Sequence, residues 1–473
     1  MERVLTKNSL NINSYYDIIV AGGGPAGCLA AAASAKNGAK VLLIEASYAL
    51  GGMSTEGMVP SFAPFSDKKN VIVNPLTKRL ITSYKEKMGY EASHWDWIPI
   101  SFEDLMEVYD SFVEESGADV LFGGIVCGAV KNKTGIEYIE VAGKFGIKAF
   151  KAKTYIDCTG DADLAAFSGL DYEMGDGSGN LQASSLCFII SGIDAENMNF
   201  WDIHWNDNSI WAKNGNNPKY PLIDINHVVP SVIGKGTMAF NAGHLFSSDT
   251  TDESKKSLNM IKGRKTARQY LNALKEYYPQ AFKNAYLCYT APLLGVRESR
   301  RIKGEYVLTL DDYKNRRTFT DGIAKNCYWI DCHRSCKEQD SNCGMAPENY
   351  KSGESHEIPW RCLFSKKADN LLVAGRAVSA DRAVSASVRV IPVCMSVGEA
   401  AGLGAVEALK KGIPVTECKG EEIKKLFSDS YSVTVRNASD AEWKDNWKQF
   451  AHEVQQTYNA PINADRFLKK QGL

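Results

Sequence analysis

The sequence lacks a charge imbalance: 55 Lys and Arg stand against 56 Asp and Glu in 473 residues, a formal net charge of -1. Without a basic excess there is no electrostatic reason to bind a polyanion, so nucleic acid is excluded as an expected partner. A continuous apolar leader is missing too. The opening segment MERVLTKNSLNINSYYD has no signal-type core, and no export is expected. The most apolar late window, Val388 to Leu409, is broken by Arg389, Pro392 and Glu399, which argues against a membrane span. Cysteine is sparse, 12 residues mostly isolated in apolar stretches, which excludes a disulfide scaffold and suits reduced thiols in a cytoplasm. Histidine is scarcer still, with seven residues, so acid/base candidates are few. There is no internal repeat or low-complexity tract, and the length suggests about two or three domains.

What is present is sharpest between residues 16 and 45. Tyr16-Asp-Ile-Ile-Val-Ala21 reads as a buried strand, Gly22-Gly-Gly-Pro-Ala-Gly27 as a turn, the Ala-rich run to Asn37 as a helix, and Lys40-Val-Leu-Leu-Ile44 as a second strand ending at Glu45. This is a βαβ unit with a Gly22-x-Gly24-x-x-Gly27 fingerprint. The first glycine permits the tight turn, the second lets backbone approach a pyrophosphate, and the third lets helix and strand pack closely. The helix N-terminus attracts the phosphates, and Glu45 suits the adenosine ribose. A dinucleotide is therefore expected. Asp119 to Asp157 reads as short strands, and Tyr155-Ile-Asp-Cys-Thr-Gly160 and Asn370-Leu-Leu-Val-Ala-Gly375 as further strands running into glycine. An amphipathic helix is expected near Lys262 to Tyr278, and another opening at Ser396.

Six segments in order carry a resemblance: Gly51-Gly-Met-Ser-Thr55, Cys158-Thr-Gly-Asp-Ala-Asp163, Gly295-Val-Arg-Glu-Ser-Arg-Arg301, Ala374-Gly-Arg376, Ser387-Val-Arg-Val390 and Gly398-Glu-Ala-Ala-Gly402. From about residue 15 to 412 the chain resembles FAD-dependent oxidoreductases with a glutathione-reductase-type flavin fold, related to fumarate-reductase and aspartate-oxidase flavoproteins. The resemblance implies FAD, with Gly22, Gly24, Pro25, Ala26 and Gly27 at the pyrophosphate and Glu45 at the ribose. It also implies Gly52, Met53 and Ser54 along the flavin chain, the Val126 backbone near adenine, Gly160 and Asp161 near the nucleotide end, and Gly375 and Arg376 beside the ribityl chain. Arg376 departs from relatives that carry an acid there. Gly398, Ala400 and Ala401 are expected where a helix N-terminus would face the flavin pyrimidine edge and favour its reduced anion.

The expected fold is α/β: a Rossmann-like FAD-binding domain, with a central parallel sheet and a β-meander, interrupted by an inserted α+β substrate domain. Its parts fall at 15–179 and 365–414 for the FAD domain, 180–364 for the substrate domain and 415–473 for a charged, helical extension. A second glycine fingerprint is absent, so a nicotinamide, oxygen, a quinone or a protein carrier all stay open as the electron partner. Residues Met53 to Gly57 stand where disulfide reductases carry a Cys pair. The group Cys327, Cys332, Cys336 and Cys343 lacks paired C-x2-C spacing, and no metal is expected.

The substrate candidates are His333, which Asp331 could orient, His244, and the arginines Arg297, Arg300 and Arg301 around Glu298 in an expected helical turn. Arginine forks suit a small anionic substrate; the competing reading is an ion-pair network with Glu298 and Glu305. Arg389 has the same ambiguity. Trp95, Trp97, Trp201, Trp205 and Trp211 could form an aromatic wall or simply core. The function expected is hydride transfer between flavin N5 and a small, anionic or polar organic molecule, with a flavin-binding electron-transfer subunit as the alternative.

Overall fold

The computed structural model describes residues 12–194, 203, 209–215, 217–223, 227–247, 249–336 and 348–428. The chain opens with β1 (Ile12–Ala21), α1 (Pro25–Lys36) and β2 (Val41–Glu45). Ile18, Ile19, Val20 and Ala21 are fully buried, as expected of a central parallel strand covered on both faces. Helix α1 starts with Pro at its first position, where the missing N–H costs nothing, and its residues from Cys28 to Ala33 are fully buried. Two helices follow, α2 (Pro75–Met88) and α3 (Phe102–Glu114). Then come β3 (Asp119–Phe122), β4 (Ile125–Lys131), β5 (Ile136–Gly143) and β6 (Gly146–Asp157). Strand β3 extends the parallel sheet beside β2, while β4, β5 and the start of β6 form an antiparallel meander. The end of β6 returns parallel to β1, pairing Ala21 with Asp157.

The middle of the chain contains α4 (Asp163–Phe167), β7 (Tyr172–Met174), β8 (Phe188–Ser191), α5 (Ile210–Asn214), β9 (Val228–Gly234), β10 (Thr237–Ala242), α6 (Glu253–Tyr277), α7 (Pro279–Phe282) and β11 (Tyr286–Thr290). A second, antiparallel sheet runs β11-β8-β10-β9. Its apolar face holds Phe188 stacked on Phe240 at 5.2 Å, with Tyr270 of α6 against them. Helix α6 begins nine residues before the sequence expectation, because Asp252 caps it by accepting from the N–H groups of Ser254 and Lys255.

Next are β12 (Arg300–Ile302), α8 (Leu310–Lys314), β13 (Gly322–Asn326), β14 (His356–Pro359) and β15 (Leu371–Val373). Strand β15 pairs parallel with the end of β6, so the parallel part of the first sheet runs β3-β2-β1-β6-β15. Strand β12 pairs with β7, which corrects the helical turn expected around Glu298: the segment is extended. The chain closes with α9 (Arg382–Val388), α10 (Ile391–Lys411) and α11 (Gly420–Ser428); of the expected extension, residues 429–473 lie outside the described residues. The α/β fold with a parallel sheet, a meander and an additional antiparallel unit is thus the one the sequence implied.

Helix α10 is long and apolar enough to cross a bilayer, yet 89% of its apolar window is buried inside the fold. It starts at Ile391, not near Ser396, because Pro392 fits the first turn of a helix and does not break it. Gly398, Ala400 and Ala401 are therefore interior positions. A Cβ on Gly398 would overlap the Ala26 carbonyl, so this glycine lets α10 lie directly on α1. The neighbouring Glu399 accepts from Leu76 N, Thr77 N and the Thr77 hydroxyl at 2.9–3.0 Å and closes the N-terminus of α2.

Candidate active site

The glycine loop between β1 and α1 has the geometry its fingerprint requires. Gly22 has φ +98°, and a Cβ there would meet the Cys158 carbonyl at the end of β6. Gly27 likewise has no room for a side chain against the Gly22 carbonyl, whereas Gly24, the N-cap of α1, faces open space. Gly51 donates to the Gly23 carbonyl at 2.9 Å, and Gly52 sits beside Gly24, so the segment that continues to Met53 lines the same cradle. Ser54 is fully buried and bonds the Gly51 carbonyl and the Tyr109 hydroxyl, so its hydroxyl is taken up by the protein. Glu45 accepts from Gly23 N at 2.6 Å and Ser47 N at 2.7 Å, which holds its carboxylate at the mouth of the loop. Gly124 N bonds the Glu45 carbonyl and so brings the start of β4, with Val126, alongside. Gly375 packs on Ala26. An open helix N-terminus at Gly24 with an acid 20-odd residues on fits the pyrophosphate and ribose of a dinucleotide.

The second polar cluster lies beside the start of α10. Arg389, the residue before the N-cap Val390, donates to the Asp331 carbonyl at 2.8 Å and to Asp331 Oδ2 at 3.1 Å. His333 Nε2 is 3.3 Å from the same carboxylate, and His333 Nδ1 is 2.7 Å from His244 Nε2. The His227 ring stacks on His244 at 5.3 Å and meets His333 edge-on at 4.9 Å. Arg297 donates to the Ala183 carbonyl at 2.8 Å and Ser185 Oγ at 3.0 Å, with His227 Nε2 at 3.4 Å. All four of His227, His244, His333 and Arg297 are buried.

Among the described residues Arg297 has no ion pair, and burial followed by the charge of Arg389 lowers its pKa to about 10. Burial and then Arg297 push His333 down to about 4, against the opposing pull of Asp331, so the imidazole is neutral at pH 7. His244 is held far below the ordinary histidine range, first by burial and then by the neighbouring charges. Burial raises Asp331, but His333, Arg389 and Arg297 outweigh it and keep the carboxyl ionised. Arg389 Nε, His244 Nδ1 and Gln182 Nε2, whose other end accepts from His333 N, are buried without a hydrogen-bond partner among the described residues. Unsatisfied buried groups clustered in this way call for a ligand.

The structure thus brings together His333, His244, Arg297 and Arg389, with Asp331 orienting His333. It does not bring Arg300 to them. Successive strand residues point to opposite faces, and Arg300 pairs with Asp163 at 2.8 Å while Arg301 turns to Glu298 at 2.7 Å. Glu298 also holds Arg382, so the ion-pair reading applies to Arg301. Arg376 is bound to Asp161 at 2.7 Å and to Ser299, beside Gly160, so its guanidinium is occupied. Gly398, Ala400 and Ala401 lie within α10, and the positive pole of that helix is at Val390 to Val393. Cys327 is half-buried and donates to the Ser66 carbonyl, while Cys332 is disulfide-bonded, unlike the free thiols expected. Trp97 packs on Trp329 at 5.6 Å, which stacks on Tyr328 at 4.1 Å, two residues before Asp331. Trp95 packs on Phe65 and Lys85; Trp201, Trp205 and the side chain of Trp211 lie outside the described residues.

Sequence reasoning missed His227 and Gln182. A signal for His227 existed: β9 and β10 form a hairpin pairing Val228 with Ala242, and His227 and His244 flank its open end.

Residues 17–427 match the family model described as FAD dependent oxidoreductase. A digeranylgeranylglycerophospholipid reductase of Methanocaldococcus jannaschii is 34% identical over 94 residues, 17% of this chain and 23% of that protein, so the matched stretch is under a quarter of the relative's length. Among solved structures, a geranylgeranyl bacteriochlorophyll reductase-like protein from Thermoplasma acidophilum aligns over 97% of this chain and 99% of its own, at 13% identity and a TM-score of 0.43. The anhydrotetracycline hydroxylase OxyS of Streptomyces rimosus aligns over 89% of this chain and 66% of its own, at 12% identity and a TM-score of 0.42. With the family model spanning both ends of the parallel sheet and the glycine cradle, this chain belongs to the FAD dependent oxidoreductase family and is a flavoenzyme that uses FAD.

Proposed function

We propose that the enzyme transfers a hydride between N5 of FAD and a small organic anion bound by Arg297, Arg389 and the histidines His244 and His333. The observation that carries this reading is the unpaired, buried guanidinium of Arg297. A buried charge without a partner costs several kcal/mol, roughly, and a substrate carboxylate would relieve that cost with a forked hydrogen-bond pair. Gln182 Nε2 and Arg389 Nε are further donors free to bind substrate oxygen. The stacked Tyr328 and Trp329 offer an apolar wall beside the charged groups.

In this reading the cofactor's phosphates lie at Gly22, Gly24 and Gly27, with Pro25 and Ala26 opening α1 and Glu45 at the ribose. Gly52 and Met53 line its course, and Gly375 closes the cradle. The N-terminus of α10, at Val390 to Val393, would supply positive potential to the flavin. FAD when bound supplies a two-electron carrier. The protein's residues neutralise the substrate, orient it and handle its proton. The domain division at 180 and 365, and the closer kinship with glutathione-reductase-type and fumarate-reductase flavoproteins, belong to the same proposal.

The test is anaerobic mixing of the yellow holoenzyme with carboxylates, hydroxy acids, enones, sugars and NAD(P)H. Selective bleaching or reoxidation by an anion supports the reading. Response to neutral sugars or enones alone, with every anion inert, would overturn it.

A further inference from the structure

The row Asp331, His333, His244 determines which ring nitrogens carry protons. Ionised Asp331 can only accept, so the hydrogen lies on His333 Nε2, 3.3 Å from Oδ2. Neutral His333 is then bare at Nδ1 and must accept the bond it shares with His244 Nε2 at 2.7 Å. His244 is consequently protonated at Nε2 and bare at Nδ1. That nitrogen is the buried atom without a hydrogen-bond partner, on a side chain that is 6% exposed. The reverse assignment would set a lone pair of His333 against the Asp331 carboxylate. A bare, buried acceptor asks its ligand for a donor, so a hydroxyl satisfies it and a carbonyl oxygen does not.

We infer that His244 Nδ1 is the base for a substrate hydroxyl, and that the enzyme dehydrogenates a hydroxyl-bearing carboxylate to the corresponding carbonyl compound. This rests on the reading of the cluster as the substrate site. With the charge of Arg297 neutralised by the substrate carboxylate, which removes one of the causes that depress His244, the O–H proton passes to His244 Nδ1, the C–H bond breaks with its electron pair leaving as hydride to oxidised FAD, and the C=O bond forms. The Nε2 proton of His244 can shift onto His333 Nδ1, so the positive charge is shared by two imidazoles and offset by Asp331. Arg297 stabilises negative charge on the substrate oxygen and the carboxylate. His227, stacked on His244 and touching Arg297, is a positioning residue that holds the ring plane.

The proton pattern is read by 15N NMR of holoenzyme labelled at histidine, with signals assigned through His244→Gln and His333→Gln. The expected result is the Nε2–H tautomer at both positions near neutral pH. A second arm uses Asp331→Asn. Arg389 holds the amide oxygen, the amide nitrogen then donates to His333 Nε2, and both tautomers invert, leaving a hydrogen on His244 Nδ1. Anaerobic bleaching by lactate, glycolate or the best hydroxy acid of the panel should fall about 10²–10⁴-fold, the usual size of a general-base contribution. FAD absorbance reports whether the variant still folds. Finding His244 protonated at Nδ1 in the unaltered enzyme, or an unchanged bleaching rate in Asp331→Asn with inverted tautomers, overturns the inference. If instead Arg297→Met leaves anion turnover intact, the substrate-site reading itself has failed.

Discussion

Arg297 and Glu298 are neighbours in the chain, both buried, and their surroundings differ in one respect. Glu298 is compensated twice, by Arg301 at 2.7 Å and Arg382 at 3.2 Å, and it also accepts from Gln182 N at 2.9 Å. Among the described residues Arg297 has only neutral acceptors. Arg376 and Arg389 are both ion-paired, with Asp161 at 2.7 Å and with Asp331 at 3.1 Å, but Arg389 keeps one unsatisfied nitrogen, Nε. Paired charges hold the segments of the fold together, whereas Arg297 is proposed to be held ready for a ligand. Composition near neutrality conceals this distinction, since net charge counts both kinds alike.

The contrast predicts opposite outcomes for substitutions at adjacent positions. The largest loss of stability is expected for Glu298→Gln, which leaves the buried Arg301 and the half-buried Arg382 undercompensated and should cost about 3–5 kcal/mol in chemical denaturation. An effect below 1 kcal/mol would remove the distinction. Glu399 comes next. Burial raises its pKa from 4.5 to about 7 despite the three donors of α2. Between those values the native state holds a proton that the unfolded chain has lost, so its contribution is full below pH 4.5 and fades as pH rises through 7, by about 3 kcal/mol in all. Denaturation of Glu399→Gln across this window should lose that slope, while an identical slope would locate the coupling elsewhere. Arg376→Met is expected to cost about 2 kcal/mol, less than Glu298→Gln because the pair with Asp161 is partly accessible. Arg297→Met should change stability by no more than about 1 kcal/mol, since relief of a buried charge offsets two lost hydrogen bonds. A large loss there would make Arg297 a structural residue.

Much of the nucleotide half was legible because its constraints are local. Gly22, Gly24 and Gly27 are required by turn, ligand approach and helix packing within six residues, and β1, α1 and β2 follow one another directly. The start of α10 was not legible, because only two residues, Arg389 and Val390, separate the end of α9 at Val388 from the start of α10 at Ile391. A proline at the second helical position looks like a breaker in sequence and is a helix opener in space. The roles of Arg300 and Arg297 depended on partners 137 residues away, at Asp163, and 114 residues away, at Ala183. His227 met His244 only through the β9–β10 hairpin, and Gln182 only through its long-range bond to His333. The glycine at 398 was visible as part of a motif, but its contact with Ala26 assigns it to packing between helices.

The central claim is that the unpaired cluster around Arg297 is where substrate binds and reacts. Its most direct test is stopped-flow bleaching of the flavin by the most active anion, comparing the unaltered enzyme with Arg297→Met at matched FAD content. A fall of about 10²–10³-fold in the second-order rate, with FAD absorbance and thermal stability preserved, is the predicted result. Equal rates in the two proteins would contradict it.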